Sequence, residues 1–141
     1  MAIVQGPSGS KVAKVHYKDT ANSEEMFLRF NTCGGGVNLT GKHLRFSVYL
    51  SGPGSLFVAD GYDVSVFEAS GANCGGLSSN APSPLPVNQW VQVTTSNFES
   101  LQFADCTGIN PDSSGVNAIS IHLKFDQQWE GDVYFDDIQI L

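Results

Sequence analysis

The residues best suited to chemistry lie on one side of three segments in which apolar and polar residues alternate. In residues 42–50, 89–95 and 117–125 every second side chain is apolar, and the intervening ones are polar or aromatic. The apolar sets must face a core, because a one-residue slip would expose all of them. If the three segments lie in one sheet, its outward face carries Arg45, Tyr49, Trp90, Gln92, His122 and Lys124.

Such a face has the composition that sugar binding requires. Pyranose rings present apolar C–H faces that stack on aromatic rings, and their hydroxyls need fixed donors and acceptors. Tyr62, two residues after Asp60, is expected at the rim, where Asp60 could accept a hydrogen bond from a hydroxyl. The alternative is an ordinary solvated sheet face. For Trp90 and Trp129 the sequence also leaves open a structural role at a strand end or sandwich end.

Catalytic chemistry has weaker support in the sequence. Glycoside hydrolysis needs two carboxylates roughly 5–9.5 Å apart. Four acidic residues are available, most of them in or beside loops and without recognisable spacing: Glu68, Glu99, Asp105 and Glu130. His122 as a general base is an alternative without a supporting motif, and neither a nucleophile elbow nor a phosphate loop occurs.

The three cysteines, Cys33, Cys74 and Cys106, include no C-x-x-C pair, which disfavours a zinc site. An exported chain would form one disulfide, and three reduced thiols are the alternative. If four neighbouring strands alternate in direction, the loops after Asn31 and Ala69 emerge at the same end. We therefore predict a disulfide between Cys33 and Cys74.

Period-2 alternation dominates the chain, and helical periodicity is nearly absent. Turn-forming Gly, Pro, Asn and Ser separate the alternating segments, and no second composition regime appears. The sequence therefore predicts one domain over residues 1–141, an all-β antiparallel sandwich of two sheets. We expect strands at residues 11–18, 25–31, 42–50, 56–59, 63–69, 89–95, 117–125 and 132–140.

Charge excludes several classes of partner. Fourteen acidic residues against seven basic ones give a net charge of -7, which disfavours nucleic acid and anionic membranes. No apolar run approaches the ~20 residues that a membrane-spanning helix needs. Only 15% of residues are charged, so a neutral ligand is favoured over a polyanion.

Four segments in order along the chain resemble the β-jelly-roll carbohydrate-binding modules. Residues 129–140 (WEGDVYFDDIQI) look like the closing strand of those modules, and residues 9–15 (GSKVAKV) look like their GS-x-A strand. Residues 37–46 (VNLTGKHLRF) and 87–93 (VNQWVQV) are similar to two further strands.

The resemblance implies a jelly-roll fold and a non-catalytic module that binds a neutral plant-type polysaccharide on a concave sheet. β-Glucan, xyloglucan and xylan are the expected ligands. It further implies a secreted, monomeric module that targets a catalytic domain in the same chain. A small jelly-roll lyase or hydrolase, and an adhesion sandwich, are the alternatives.

The same resemblance implies a structural calcium site, with a carboxylate from Asp136 and a backbone carbonyl from Lys11. Members of the family usually contribute a Glu from a strand ahead of the GS-x-A segment. No acidic residue stands among residues 1–8 here. Calcium prefers six or more oxygen ligands, so this departure leaves the site open.

Overall fold

In a computed structural model, the chain folds into two antiparallel β-sheets. The structure describes residues 1–6, 9–18, 25–32, 36–52, 62–68, 73–74, 80–82, 84–100, 116–125 and 128–141. For residues 62–68 and 73–74, and for Glu25, Ser100 and Lys124, the description covers the backbone only. No helix within these ranges has the length and apolar character needed to cross a membrane.

Nine strands and one short 3₁₀ turn, Phe98–Ser100, make up the regular structure of the described residues. The strands are β1 (Ala2–Gln5), β2 (Lys11–Lys18), β3 (Glu25–Asn31), β4 (His43–Ser51), β5 (Tyr62–Glu68), β6 (Asn73–Cys74), β7 (Trp90–Asn97), β8 (Val116–Lys124) and β9 (Glu130–Ile140). The first sheet has the order β1-β2-β9-β4-β7, and the second has the order β3-β8-β5-β6. The predicted two-sheet antiparallel β-sandwich is confirmed.

The core lies between the sheets and follows the alternation of the sequence. Along β4, every second side chain from Leu44 to Leu50 is at most 1% exposed, and Ile119, Ile121 and Leu123 on β8 are fully buried. Burying one such side chain stabilises the fold by about 1.5–3 kcal/mol. The predicted inward faces of both strands are therefore correct.

The number and the bounds of the strands differ in part from the sequence interpretation. β1 and β6 were not expected, since four and two residues are too short to show a period-2 pattern. β7 runs two residues beyond the predicted strand, to Asn97, and β9 begins two residues before the predicted one, at Glu130. The expected strand at residues 56–59 lies outside the described residues.

Trp129 closes one end of the sandwich. Its indole is 6% exposed and stacks on Phe125, with ring centroids 5.6 Å apart and an interplanar angle of 12°. Tyr17 continues the stack, 4.6 Å from Phe125. A β-carbon added at Gly131 would clash with the backbone oxygen of Ser51 and would lie 2.5 Å from the indole, so the close approach of β9 to both requires glycine there. This burial supports the structural role of Trp129 and not a role in sugar stacking.

Candidate functional site

The residues predicted to form one face lie on two opposite faces of the sandwich. Strands β4 and β7 are neighbours in the first sheet, whereas β8 lies in the second. The condition that all three segments share a sheet is therefore not met. Alternation reports which side of a strand meets the core, but not which sheet the strand joins. Arg45, Tyr49, Trp90 and Gln92 remain together, and His122 and Lys124 belong to the other face.

The outer face of the second sheet carries an exposed aromatic ring. Phe27 on β3 is 56% exposed, although its strand neighbours Met26 and Leu28 are buried in the core. Its ring lies edge-on to the imidazole of His122, with centroids 4.3 Å apart at 71°. Arg29, two residues along the strand, is also exposed. We call these three side chains, Phe27, Arg29 and His122, the Phe27 surface.

The backbone register extends this surface across the sheet. Phe27 pairs with His122, which in turn pairs with Asp63 on β5. Lys124 ends β8 and pairs with Glu25. Both strands that neighbour β8 therefore place an acidic residue type beside it, Glu25 on β3 and Asp63 on β5.

Sequence reasoning missed Phe27, although the strand at residues 25–31 was predicted. The signal was present, because Phe27 stands between Glu25 and Arg29 on the polar side of the alternation. Like Tyr49 and Trp90, Phe27 is a large aromatic residue at an outward position among polar ones.

The outer face of the first sheet carries a row of aromatic rings. Tyr134, Tyr49 and Trp90 are consecutive in register on β9, β4 and β7. Ring centroids are 5.8 Å apart between Tyr134 and Tyr49 and 5.5 Å apart between Tyr49 and Trp90. All three side chains are half-buried, and we call them the aromatic row. Beside it, the Arg45 guanidinium donates a 2.7 Å hydrogen bond to Gln139, while Gln92 is exposed.

Ion pairs cover the β2–β9 side of the same face. Lys14 lies 2.8 Å from Asp132, and Lys18 lies 2.9 Å from Glu130. The hydrogen bond from Lys14 lowers the pKa of Asp132, with a further contribution from His16 at 3.0 Å. Lys18 lowers the pKa of Glu130 in the same way. These charges are paired with one another.

The described residues around Asp136 supply only part of the ligand set that a calcium site needs. One carboxylate oxygen accepts a 2.8 Å hydrogen bond from the Ser10 hydroxyl, and the other accepts one of 2.8 Å from the Asp137 amide. Among the described residues, no group of three or more His, Cys, Asp or Glu could hold a metal ion. One carboxylate and the Lys11 carbonyl fall short of the six to eight oxygens that calcium takes. Calcium binding stays a prediction.

The other predicted residues are only partly described. Tyr62 is the first residue of β5 and pairs with Leu123, and Cys74 ends β6. Asp60 and Cys33 lie outside the described residues. The rim position of Asp60 and the disulfide between Cys33 and Cys74 therefore stay predictions.

The fold is the β-sandwich of carbohydrate-binding modules, as the comparison with solved structures shows. No protein-family profile matches the chain, and no curated protein matches its sequence. A family 28 carbohydrate-binding module specific for non-crystalline cellulose is 17% identical, with a TM-score of 0.58 over 98% of this chain and 78% of that one. A family 11 module from Clostridium thermocellum, in complex with a β-1,3-1,4-mixed-linked tetrasaccharide, is 17% identical, with a TM-score of 0.57 over 99% and 80%.

One structural neighbour is a much longer protein. An exo-β-agarase is 15% identical, with a TM-score of 0.62 over 99% of this chain. The present chain spans only 21% of the length of that agarase. At such identities the comparisons establish the fold alone.

Proposed function

We propose that this chain is a non-catalytic carbohydrate-binding module that holds a neutral polysaccharide on the Phe27 surface. β-Glucan, xyloglucan and xylan are the proposed ligands. One observation carries the proposal. The exposed Phe27 ring is flanked by His122 and Arg29 on the outer face of a sheet. The solved structures with a similar fold include carbohydrate-binding modules.

The geometry suits one face of a pyranose ring. Phe27 supplies an apolar platform, and the edge-on imidazole of His122, whose Nε2 is buried, holds the ring in place. Covering about 60 Å² of ring surface stabilises a complex by about 1.5 kcal/mol at ~25 cal/mol per Å². That energy corresponds to roughly tenfold in affinity. Arg29 adds planar donors that suit pairs of sugar hydroxyls.

The low charge of the chain supports a neutral ligand. Only 15% of residues are charged, and acidic residues outnumber basic ones two to one, which disfavours polyuronates. A module of this kind raises the effective concentration of an attached catalytic domain at its substrate. We propose that a catalytic domain is attached to this module in the same parent protein. We further propose that the protein is secreted and that the module is monomeric.

A catalytic role is the second candidate, and the geometry favours it less. Hydrolysis needs two carboxylates facing the scissile bond. The described side chains of the Phe27 surface include none. Incubation with each polysaccharide, followed by assays for reducing ends and for unsaturated products, tests this candidate. We expect no product.

The placement of the site is tested by affinity electrophoresis in gels that contain β-glucan, xyloglucan or xylan. Phe27→Ala should weaken binding at the Phe27 surface about tenfold and thereby reduce the retardation, because it removes the platform. Ile3→Ala is the matched control, since Ile3 is 67% exposed but lies on β1 of the other sheet. Unchanged retardation of Phe27→Ala, in a gel that retards the wild type, would place the site elsewhere.

His122→Ala should weaken binding less than Phe27→Ala, because it removes the support of the platform but not the ring itself. A larger loss for His122→Ala than for Phe27→Ala would contradict the stacking role of Phe27.

A further inference from the structure

The aromatic row lies on the outer face opposite the Phe27 surface. Tyr134, Tyr49 and Trp90 occupy three adjacent strands at one register position. Two strand spacings separate the outer members, which makes the row about 10 Å long. The rings are not coplanar, since Tyr49 lies at 78° to Tyr134 and at 53° to Trp90. The row is therefore a ridged apolar strip, long enough to contact about two successive sugar residues, rather than one flat platform.

Hydrogen-bonding groups flank the row on both sides. On one side, Ser47 pairs in register with Gln92 on β7 and with Asp136 on β9. On the other side, Ser51 pairs with Asp132. An apolar stripe between two polar rows matches a pyranose chain, whose ring faces are apolar and whose hydroxyls project from its edges.

The charged groups around the row carry both signs. Lys14 lies 5.5 Å from the Tyr134 ring centroid, and its ammonium is paired with Asp132 at 2.8 Å. Arg45 keeps its positive charge, because its hydrogen-bond partner Gln139 is neutral, and the acidic Asp136 pairs in register with Ser47 on the same side of the row. Such a mixture of signs favours a neutral glycan over a polyanion.

We infer that the aromatic row is a second sugar-binding surface, so that one module holds two segments of neutral polysaccharide on its opposite faces. This inference rests on the proposed function for the class of ligand. It adds a second site, with Tyr49 as the central platform and Gln92 as a hydrogen-bonding side chain. Two sites that point in opposite directions would bridge neighbouring polysaccharide chains.

Tryptophan emission distinguishes the two surfaces. The chain has two tryptophans, and Trp129 is 6% exposed at the end of the sandwich. Trp90 belongs to the aromatic row, whereas the Phe27 surface contains no tryptophan. Sugar bound at the row should therefore change the emission of Trp90, and the Trp90→Phe variant should lose that change.

The experiment combines emission with calorimetric stoichiometry. The probes are a mixed-linkage β-glucan tetrasaccharide, a xyloglucan oligosaccharide and a xylo-oligosaccharide. With the probe that binds, we expect two sugars per wild-type chain and one per Phe27→Ala chain, with the Trp90 response retained in that variant. Tyr49→Ala should bind one sugar without a Trp90 response. Gln92→Ala changes an exposed side chain and should keep the fold, while weakening the Trp90-reported binding about fivefold.

Three other results are decisive. One sugar per wild-type chain, lost in Phe27→Ala and without a Trp90 response, would refute the second surface and leave the proposed function intact. One sugar per chain, lost in Tyr49→Ala and retained in Phe27→Ala, would refute the Phe27 surface and the presence of two sites. Absence of binding by every probe would refute both.

Discussion

The sharpest prediction about the fold concerns Gly52, which lies against the indole of Trp129. A β-carbon added at Gly52 would lie 2.8 Å from Cζ2, 2.9 Å from Nε1 and 3.0 Å from Cε2 of Trp129. These are the three nearest atoms, and all belong to one side chain. The indole is held in turn by Phe125 and Tyr17, so it has little room to move.

Two effects of Gly52→Ala oppose one another. Replacing glycine restricts the unfolded chain and by itself stabilises by about 0.4–1 kcal/mol. Overpacking against an immobile ring costs about 1–3 kcal/mol. We therefore expect a net loss of about 1–2 kcal/mol in the wild-type background. In a Trp129→Leu background the three crowded atoms are absent, and the same substitution should be neutral or stabilising.

Urea unfolding followed by far-UV circular dichroism measures both backgrounds without relying on tryptophan emission. The coupling between the two substitutions should be about 1–3 kcal/mol. Gly41→Ala is the control, because Gly41 has a φ of +69° with no atom within 4 Å of its added β-carbon. Its cost arises from backbone strain and should be equal in both backgrounds. Equal costs of Gly52→Ala with and without the indole would refute the packing of Trp129 described above.

Three further predictions concern the stability of the fold rather than sugar binding. Because the pKa of Asp132 is lowered in the folded chain, its ion pair stabilises the fold fully above about pH 4. This stabilisation is lost as the pH falls through the lowered pKa. The wild type should therefore lose more stability on acidification than Asp132→Asn does. Equal losses in acid melts would contradict this ion pair. The buried Thr95 hydroxyl accepts a 3.0 Å hydrogen bond from the Leu44 amide and donates one of 2.9 Å to the Ser96 carbonyl. Thr95→Val should therefore lower the free energy of unfolding in urea by about 1–3 kcal/mol. The loss should be clearly larger than that caused by the control Thr94→Val. Chelation of calcium should leave the thermal midpoint unchanged, because the described donors around Asp136 are too few, and a fall in the midpoint would restore the calcium site.

Local pattern predicted the parts of the fold that depend on one strand at a time. The inward set of β4, from Leu44 to Leu50, follows from alternation alone, and so does the inward set of β8. β9 is irregular at Asp137, whose φ is +50° where the register between β9 and β4 shifts. The sequence did not predict this irregularity, because the register shift depends on how β9 pairs with a strand distant in sequence.

The candidate site was predicted less well, because it depends on which strands become neighbours. His122 was correctly placed on an outward face, but its partner is Phe27 rather than Tyr49. Strand order is set by contacts distant in sequence, and the period of two carries no information about it. The sequence predicted Tyr49 and Trp90 of the aromatic row on one outward face. It did not predict Tyr134, which joins the row because β9 pairs with β4.

The central claim is that this chain binds neutral polysaccharide without cleaving it. Affinity electrophoresis of the wild-type chain, in gels containing β-glucan, xyloglucan or xylan and in gels without polysaccharide, tests the claim most directly. We predict retardation in at least one of the three polysaccharide gels, with no reducing ends or unsaturated products released from that polysaccharide. Equal mobility in all gels would contradict sugar binding, and release of products would contradict a non-catalytic module.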